Sequence, residues 1–299
     1  MSNFLEQLVN DKTANDTQWR EQMQAERDNT SAMQTAGINE ITSNPEAYGL
    51  YLDLQGNNPT YSAGNLALVM LLKPEATVIG TRERWKLAGR SILDSEVKNS
   101  VKIFARSPTG KGYLLADAYD VTQTAGRPIK QITLEDGSKA MEEATKRLLN
   151  FSAAPLAINK EMEMPAYYDD ERMELNINPN YPDHEAFAAI AAEVAHSRFH
   201  AKGGNVNYAH ELYDLDAQSV SYILCKHFGI ERELPDLSRL QELYEGWEPE
   251  ERKSGLNCIQ EMSKQISGSI ERGLESPQRS RYPTQKHDQL LIEFQENVG

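Results

Sequence analysis

Cysteine is scarce in this 299-residue chain, with only Cys225 and Cys258, and two thiols exclude a disulfide framework. Both fall in helix-like patterns and read as packed thiols of a reducing cytoplasm. Long apolar runs are missing too. No stretch approaches the roughly 18–20 residues of a membrane span. The opening MSNFLEQLVNDKTANDTQWREQ is polar, without the charged-then-apolar layout of a secretion signal. A cytoplasmic chain with no membrane partner is therefore expected. Also absent are a GxxxxGK[ST] phosphate loop, a GxGxxG turn after a strand and a GxSxG elbow. The matching nucleotide, dinucleotide and serine-hydrolase chemistries fall away with them. A DxDxQ run from Asp214 lacks the glycine and distal glutamate of a calcium loop. Basic charge is in deficit as well: 31 Lys+Arg face 45 Asp+Glu, a net of -14.

What is present suffices for a folded protein. Apolar residues make up 39% and charged residues 25%, ordinary values for a chain that buries a core, and the length suggests roughly two domains. The acidic excess is uneven. Residues 61–134 carry 11 basic against 6 acidic side chains, and everything outside them 20 against 39. A basic block in an acidic protein is a localised electrostatic footprint. It faces either nucleic acid or the chain's own acidic half. Aromatic rings are interleaved with the cations: Tyr61, Trp85, Phe104, Tyr113 and Tyr119. Cations along a groove with rings for stacking bases are what sequence-tolerant single-strand binding requires. The best contacts are Arg82, Arg84, Lys86, Arg90, Lys102 and Arg106. Trp85 is equally suited to anchoring a short helix. Phe104 is expected buried, on the strand face away from Lys102 and Arg106.

The chain reads as an α+β protein in four stretches. Residues 1–35 form a polar helical arm that packs weakly. Residues 36–134 combine helices with a hairpin; Ser43-Asn44-Pro45-Glu46 is a strong helix start, and residues 81–88 form a short helix around Trp85. Residues 135–235 hold a helix, a hairpin in AYYDDERMELNINP, a long helix from Asp183 stopped by Gly203-Gly204, and a second helix through DLDAQSVSYILC. Residues 236–299 add a polar helix to about Leu274 and a disordered or loosely attached tail, ESPQRSRYPTQKH.

One segment carries the look of chemistry. AEVAHSRFH, from Ala192 to His200, is an HExxH metal helix with its first histidine replaced. In the intact pattern two histidines one turn apart hold zinc and the glutamate activates water. Here Glu193 and His196 stand in place, but Ala192 offers no donor atom. His196 and His200 are themselves four apart and share a helical face, although a histidine in a last turn is favoured by the helix dipole alone. His184 and His210 read as exposed cap or loop residues.

The stretch NPEAYGLYLDLQGNNPTYSAGNLALVMLLKPEATVIGTRERWKLAGR, followed by VKIFA and AYDVTQTAGRP, resembles the N-terminal domain of ArdC-type antirestriction proteins. AAIAAEVAHSRFH followed by YDLDAQSVSYILCKHFGI resembles that family's zincin-like metallopeptidase domain. The resemblance spans roughly residues 38–230. It implies a helix-plus-hairpin domain that binds single-stranded DNA, then a zincin-like domain, then a C-terminal helical extension. It also implies that Glu193 matches the general base, His196 the second zinc ligand and His200 the trailing histidine. Gln218 stands where the family's third ligand is a glutamate. With two of three ligands gone, Glu193 is expected to be vestigial and no metal or cofactor is expected. Should zinc bind after all, His196, His200, Asp214 and Asp216 are the donors. The function implied is a DNA-associated accessory of a mobile element or phage, antirestriction or anti-defence in type, without catalysis. Its partners would be single-stranded DNA and a host defence protein. Two alternatives stand beside it: a zinc metallopeptidase with rearranged ligands, and an acidic module that mimics DNA or docks a basic protein.

Overall fold

The computed structural model describes residues 2–202 and 206–275; the Gly203-Gly204 stop and nearly all of the predicted tail lie outside them. The first helix, α1 (Ser2–Ser43), is longer than the predicted arm and continuous through residue 35. Its side chains are exposed from residue 3 to residue 25, as a polar, nearly non-amphipathic sequence dictates. Its last third is core, with Ile38 and Ile41 fully covered. Asn44 then turns the chain. Its side chain accepts from the amides of Glu46 and Ala47 at 3.0 and 3.4 Å and caps α2 (Pro45–Asn57), with Pro45 in the first turn. Ser62 caps the apolar α3 (Ala63–Leu72). Gly37 lets α1 and α3 touch: a Cβ there would stand 2.8 Å from the Ala67 carbonyl oxygen.

Three antiparallel strands follow in the order β1-β4-β3: β1 (Ile79–Thr81), β3 (Val101–Arg106) and β4 (Tyr113–Asp120). Between β1 and β3 lie the predicted short helix α4 (Arg82–Leu87), capped by Thr81, and β2 (Arg90–Ile92), which pairs with β5 (Thr124–Gly126). Trp85, Ile92 and Tyr119 make a satellite core beneath them. At the free edge of β3, the Asn65 carboxamide accepts from the Phe104 amide and donates to the Phe104 carbonyl, both at 2.9 Å.

In the second half, α5 (Lys139–Leu149) buries Met141, Ala144 and Leu148, a stripe at helical spacing. A small mixed sheet in the order β6-β8-β7 comes next: β6 (Leu156–Ile158), β7 (Ala166–Asp169) and β8 (Glu174–Ile177), the last two forming the predicted hairpin. Two long helices, α6 (Asp183–Ala201) and α7 (His210–His227), pack against each other. A single turn, α8 (Leu240–Leu243), leads to α9 (Pro249–Leu274). In α9 Leu256, Ile259, Ile266 and Ile270 are all fully buried, so this segment is core rather than an appendage. One cluster of buried apolar residues joins Tyr48, Leu66 and Ile103 from the first half with Phe187, Val220, Phe228 and Ile259 from the second. The two halves therefore share a core in an α+β fold. Among the described residues no helix is long and apolar enough to cross a membrane.

Candidate metal centre and cationic surface

The helix α6 places Glu193, His196 and His200 along one stripe, three and four residues apart. The strand β7 runs beside it. Glu193 is only 7% exposed, and its Oε2 accepts from the Tyr168 amide at 2.8 Å. His196 is completely buried. Its Nδ1 lies 2.8 Å from the Tyr208 hydroxyl, while its Nε2 has no hydrogen-bond partner. A buried ring nitrogen without a partner is rare enough to need a reason.

The reason stands opposite, on α7. His210 opens that helix with its Nε2 3.4 Å from the same Glu193 oxygen, and its ring stacks on His196 with centroids 3.7 Å apart. Tyr167 covers it from β7 at 5.6 Å. One turn further, Asp214 Oδ1 stands 3.6 Å from the His196 Nε2, an ionic approach too long for a hydrogen bond. The donor atoms of Glu193, His196 and His210 all lie within 4.8 Å of one another. The hydrogen bond with Glu193 raises the His210 pKa against the opposing effect of burial. Asp214 is held below the usual carboxylate range, chiefly by His196. Burial, reinforced by Asp170 and Glu193, keeps the Tyr208 phenol protonated far into base.

The geometry groups other residues than the conditional set of His196, His200, Asp214 and Asp216. His210 is no bystander in a loop; it is partly buried at the centre of the cluster. His200 is turned away, its Nδ1 2.8 Å from the Tyr168 hydroxyl and its ring stacked on Tyr208 at 4.5 Å. Asp216 lies two residues beyond Asp214, about 200° around the helix, and lines a separate cleft with Trp247 and Cys258. It keeps some exposure, yet burial pushes its carboxyl up to about 7. Gln218 donates to Asp214 at 3.1 Å and accepts from Arg232, so it supports the cluster without entering it. His184 is exposed as expected and pairs with Asp136 at 2.7 Å. The signal available in the sequence was the His210–Asp214 pair, four apart at the start of the following helix.

Two imidazoles and two carboxylates form a donor set that suits zinc and its first-row neighbours. The unpartnered nitrogen of a fully buried histidine, aimed among them, argues that the residues fit such an ion. His196 and His210 would supply nitrogen, Glu193 and Asp214 oxygen. An ion there supplies Lewis acidity to a bound water only if one coordination position stays open.

The predicted DNA contacts divide. Arg82, Arg84 and Lys86 are exposed on α4. The Arg84 guanidinium donates to Thr60 Oγ1 at 2.7 Å and sits 5.2 Å over Tyr61, and Arg82 sits 5.9 Å over Tyr119. These contacts hold the cations outward without neutralising them. Arg90 is spent on architecture: it donates to the Thr124 side chain and carbonyl at 2.7 and 2.9 Å and lies over Trp85. Lys102 is paired with Asp117 at 3.0 Å and Glu26 at 3.8 Å. Arg106 is exposed at the end of β3. Of the five rings, Tyr61, Trp85 and Tyr119 are core and Tyr113 is about half exposed, at 48%. Phe104 is partly buried beneath Arg27, 5.7 Å away. It shares its face with Lys102 and Arg106, contrary to expectation, because a two-residue period sends residues 102, 104 and 106 to the same side.

No family model matches the chain, and no curated protein matches it significantly. The solved structures similar to the chain include two of the antirestriction protein ArdC from plasmid R388. The metal-free form is 12% identical, covers 81% of this chain and 97% of its own, and gives a TM-score of 0.49. The Mn(II)-bound form is 14% identical over 82% and 98% of the two chains, with a TM-score of 0.49.

Proposed function

We propose that the chain is a DNA-associated accessory protein of antirestriction type, which holds single-stranded DNA on the cationic surface around α4. The observation that carries this reading is the placement of Arg82, Arg84 and Lys86: exposed together on one short helix, in a protein whose net charge is -14. Outward cations on an otherwise acidic body concentrate a polyanion at one place and repel it elsewhere. Tyr113, half exposed on β4, offers a face for stacking. The order of the resembling segments along the sequence supports the same assignment. Peptidase chemistry of the HExxH kind is not part of it, because Ala192 contributes no ligand and Glu193 is engaged with the Tyr168 amide and His210.

The test is fluorescence anisotropy with a short labelled oligonucleotide across a salt series. Affinity should fall with salt by a log–log slope of about 0.7 for each phosphate neutralised on a single strand. The triple variant Arg82→Glu, Arg84→Glu, Lys86→Glu should bind at least tenfold more weakly with a slope shallower by about 2. Absence of binding at low salt, or a triple variant that binds as well as the parent, removes the proposal.

A further inference from the structure

We infer that Glu193, His196 and His210, whose donor atoms lie within 4.8 Å of one another, draw in the neighbouring Asp214 to form a closed, four-donor site for a divalent transition-metal ion that clamps α6 to α7. Two donors come from each helix. The inference is independent of the DNA surface, which lies on other elements.

Distances carry the argument. In a tetrahedron with metal–ligand bonds of about 2.0–2.1 Å, neighbouring donors are about 3.3–3.4 Å apart. Glu193 Oε2 and His210 Nε2 are 3.4 Å apart, and His196 Nε2 and Asp214 Oδ1 are 3.6 Å apart. Two opposite edges of such a tetrahedron are thus already near their length. The empty coordination valence is the unpartnered His196 Nε2, on a side chain with no solvent exposure. Three of the four donor side chains are also held by neighbours, as metal ligands generally are. Tyr208 faces the His196 Nδ1, and a hydroxyl that accepts there from the Nδ1–H leaves Nε2 its lone pair for the ion. The Tyr168 amide holds Glu193, and Gln218, itself gripped by Arg232, holds Asp214. Hydrogen bonding accounts for Glu193 with His210, whereas the buried His196 Nε2 has no hydrogen bond and only the Asp214 carboxylate before it, at 3.6 Å.

The ligand set also fixes what the ion can do. An HExxH centre takes two histidines from one helix, keeps its glutamate outside the shell and leaves a position for water. Here Ala192 removes the first histidine, His210 enters from α7, and Glu193 becomes a ligand. Four protein donors leave no position for water, so the ion is structural. His196 and His210 now stack at 3.7 Å, so an ion bound through both nitrogens draws them together at the expense of that stack.

Full-length protein stripped by chelator and titrated with Zn(II) and Co(II) tests this directly. About one equivalent of zinc should remain after desalting, by elemental analysis, and should raise the melting temperature. The cobalt form should show the intense visible absorption of four-coordinate tetrahedral geometry. His210→Ala and Asp214→Asn should each weaken binding by tenfold or more, while His200→Ala should retain it. Failure of the parent protein to retain either metal overturns the inference without reference to any variant. So does the pale spectrum of a five- or six-coordinate cobalt ion, or undiminished binding in a folded His210→Ala protein.

Discussion

The cationic surface at α4 and the histidine–carboxylate cluster between α6 and α7 are built on opposite plans. At α4 three cations lie within five consecutive residues, point outward and stay wet. In the cluster the donor atoms of Glu193, His196 and His210 come from two helices to within 4.8 Å of one another, with Asp214 3.6 Å from a wholly buried His196. The first plan needs only composition and a short amphipathic turn. The second needs two helices docked at one distance and one rotation. A charge patch therefore survives many substitutions one at a time, whereas a convergent site is sensitive to each.

The contrast is tested most severely by Trp85→Ala. Trp85 is 3% exposed and donates from its indole to the Tyr119 carbonyl at 3.0 Å. Its loss should cost about 3–5 kcal/mol in chemical denaturation and weaken DNA binding with all three cations still present. Retained affinity would mean the patch needs no platform. Next in size, Glu193→Ala strands the buried Tyr168 amide and should cost about 1–3 kcal/mol. Glu193→Gln keeps an acceptor there and should lose clearly less; equal losses would put the carboxylate charge, not the hydrogen bond, in charge of the cluster's stability.

A smaller, pH-dependent effect is expected at Asp216. Its folded pKa, pushed up to about 7 by burial, exceeds the unfolded value, so the native state binds the extra proton between about pH 4 and 7. Stability then falls as pH rises through that window, the reverse of a salt-bridged carboxylate. Asp216→Asn should stabilise by roughly 1–2 kcal/mol at pH 8, a fraction of the full shift because partial exposure screens it, and by almost nothing at pH 4. Thermal melts at the two pH values decide it; an equal gain at both would refute the sign. The least effect belongs to Lys102→Ala, within about 0.5 kcal/mol for an exposed pair. Because Asp117 and Glu26 already engage Lys102, the salt slope of DNA binding should not move.

Much of the scaffold was legible in the sequence, for local reasons. Asn44-Pro45 announces α2 because a cap and a proline serve groups within one turn. AYYDDERMELNI alternates as a hairpin must, and the SYILC run buries Cys225 as expected. The site was legible in half. Glu193 and His196 share a recognisable helix, but His210 is marked only by what packs against it 14 residues after His196, and no periodicity conveys that distance. The rings at the cationic surface show the same limit: composition gives their number, and only β4, α4 and the satellite core decide that Tyr119 and Trp85 face inward while Tyr113 stays out. The predicted boundary near residue 35 had no local signature either, since α1 passes it as uninterrupted helix.

The Asn65 carboxamide has a consequence at high concentration. β3 is an outer strand, and an outer strand with free amide and carbonyl groups recruits strands from other molecules. Asn65 occupies both of those groups at Phe104 with a side chain that cannot propagate a sheet. A single residue on α3 thereby acts as a stopper against strand-by-strand self-association. Asn65→Leu, comfortable in a helix, would leave the fold's helices intact and make crowding, rather than heat, the condition under which the protein fails.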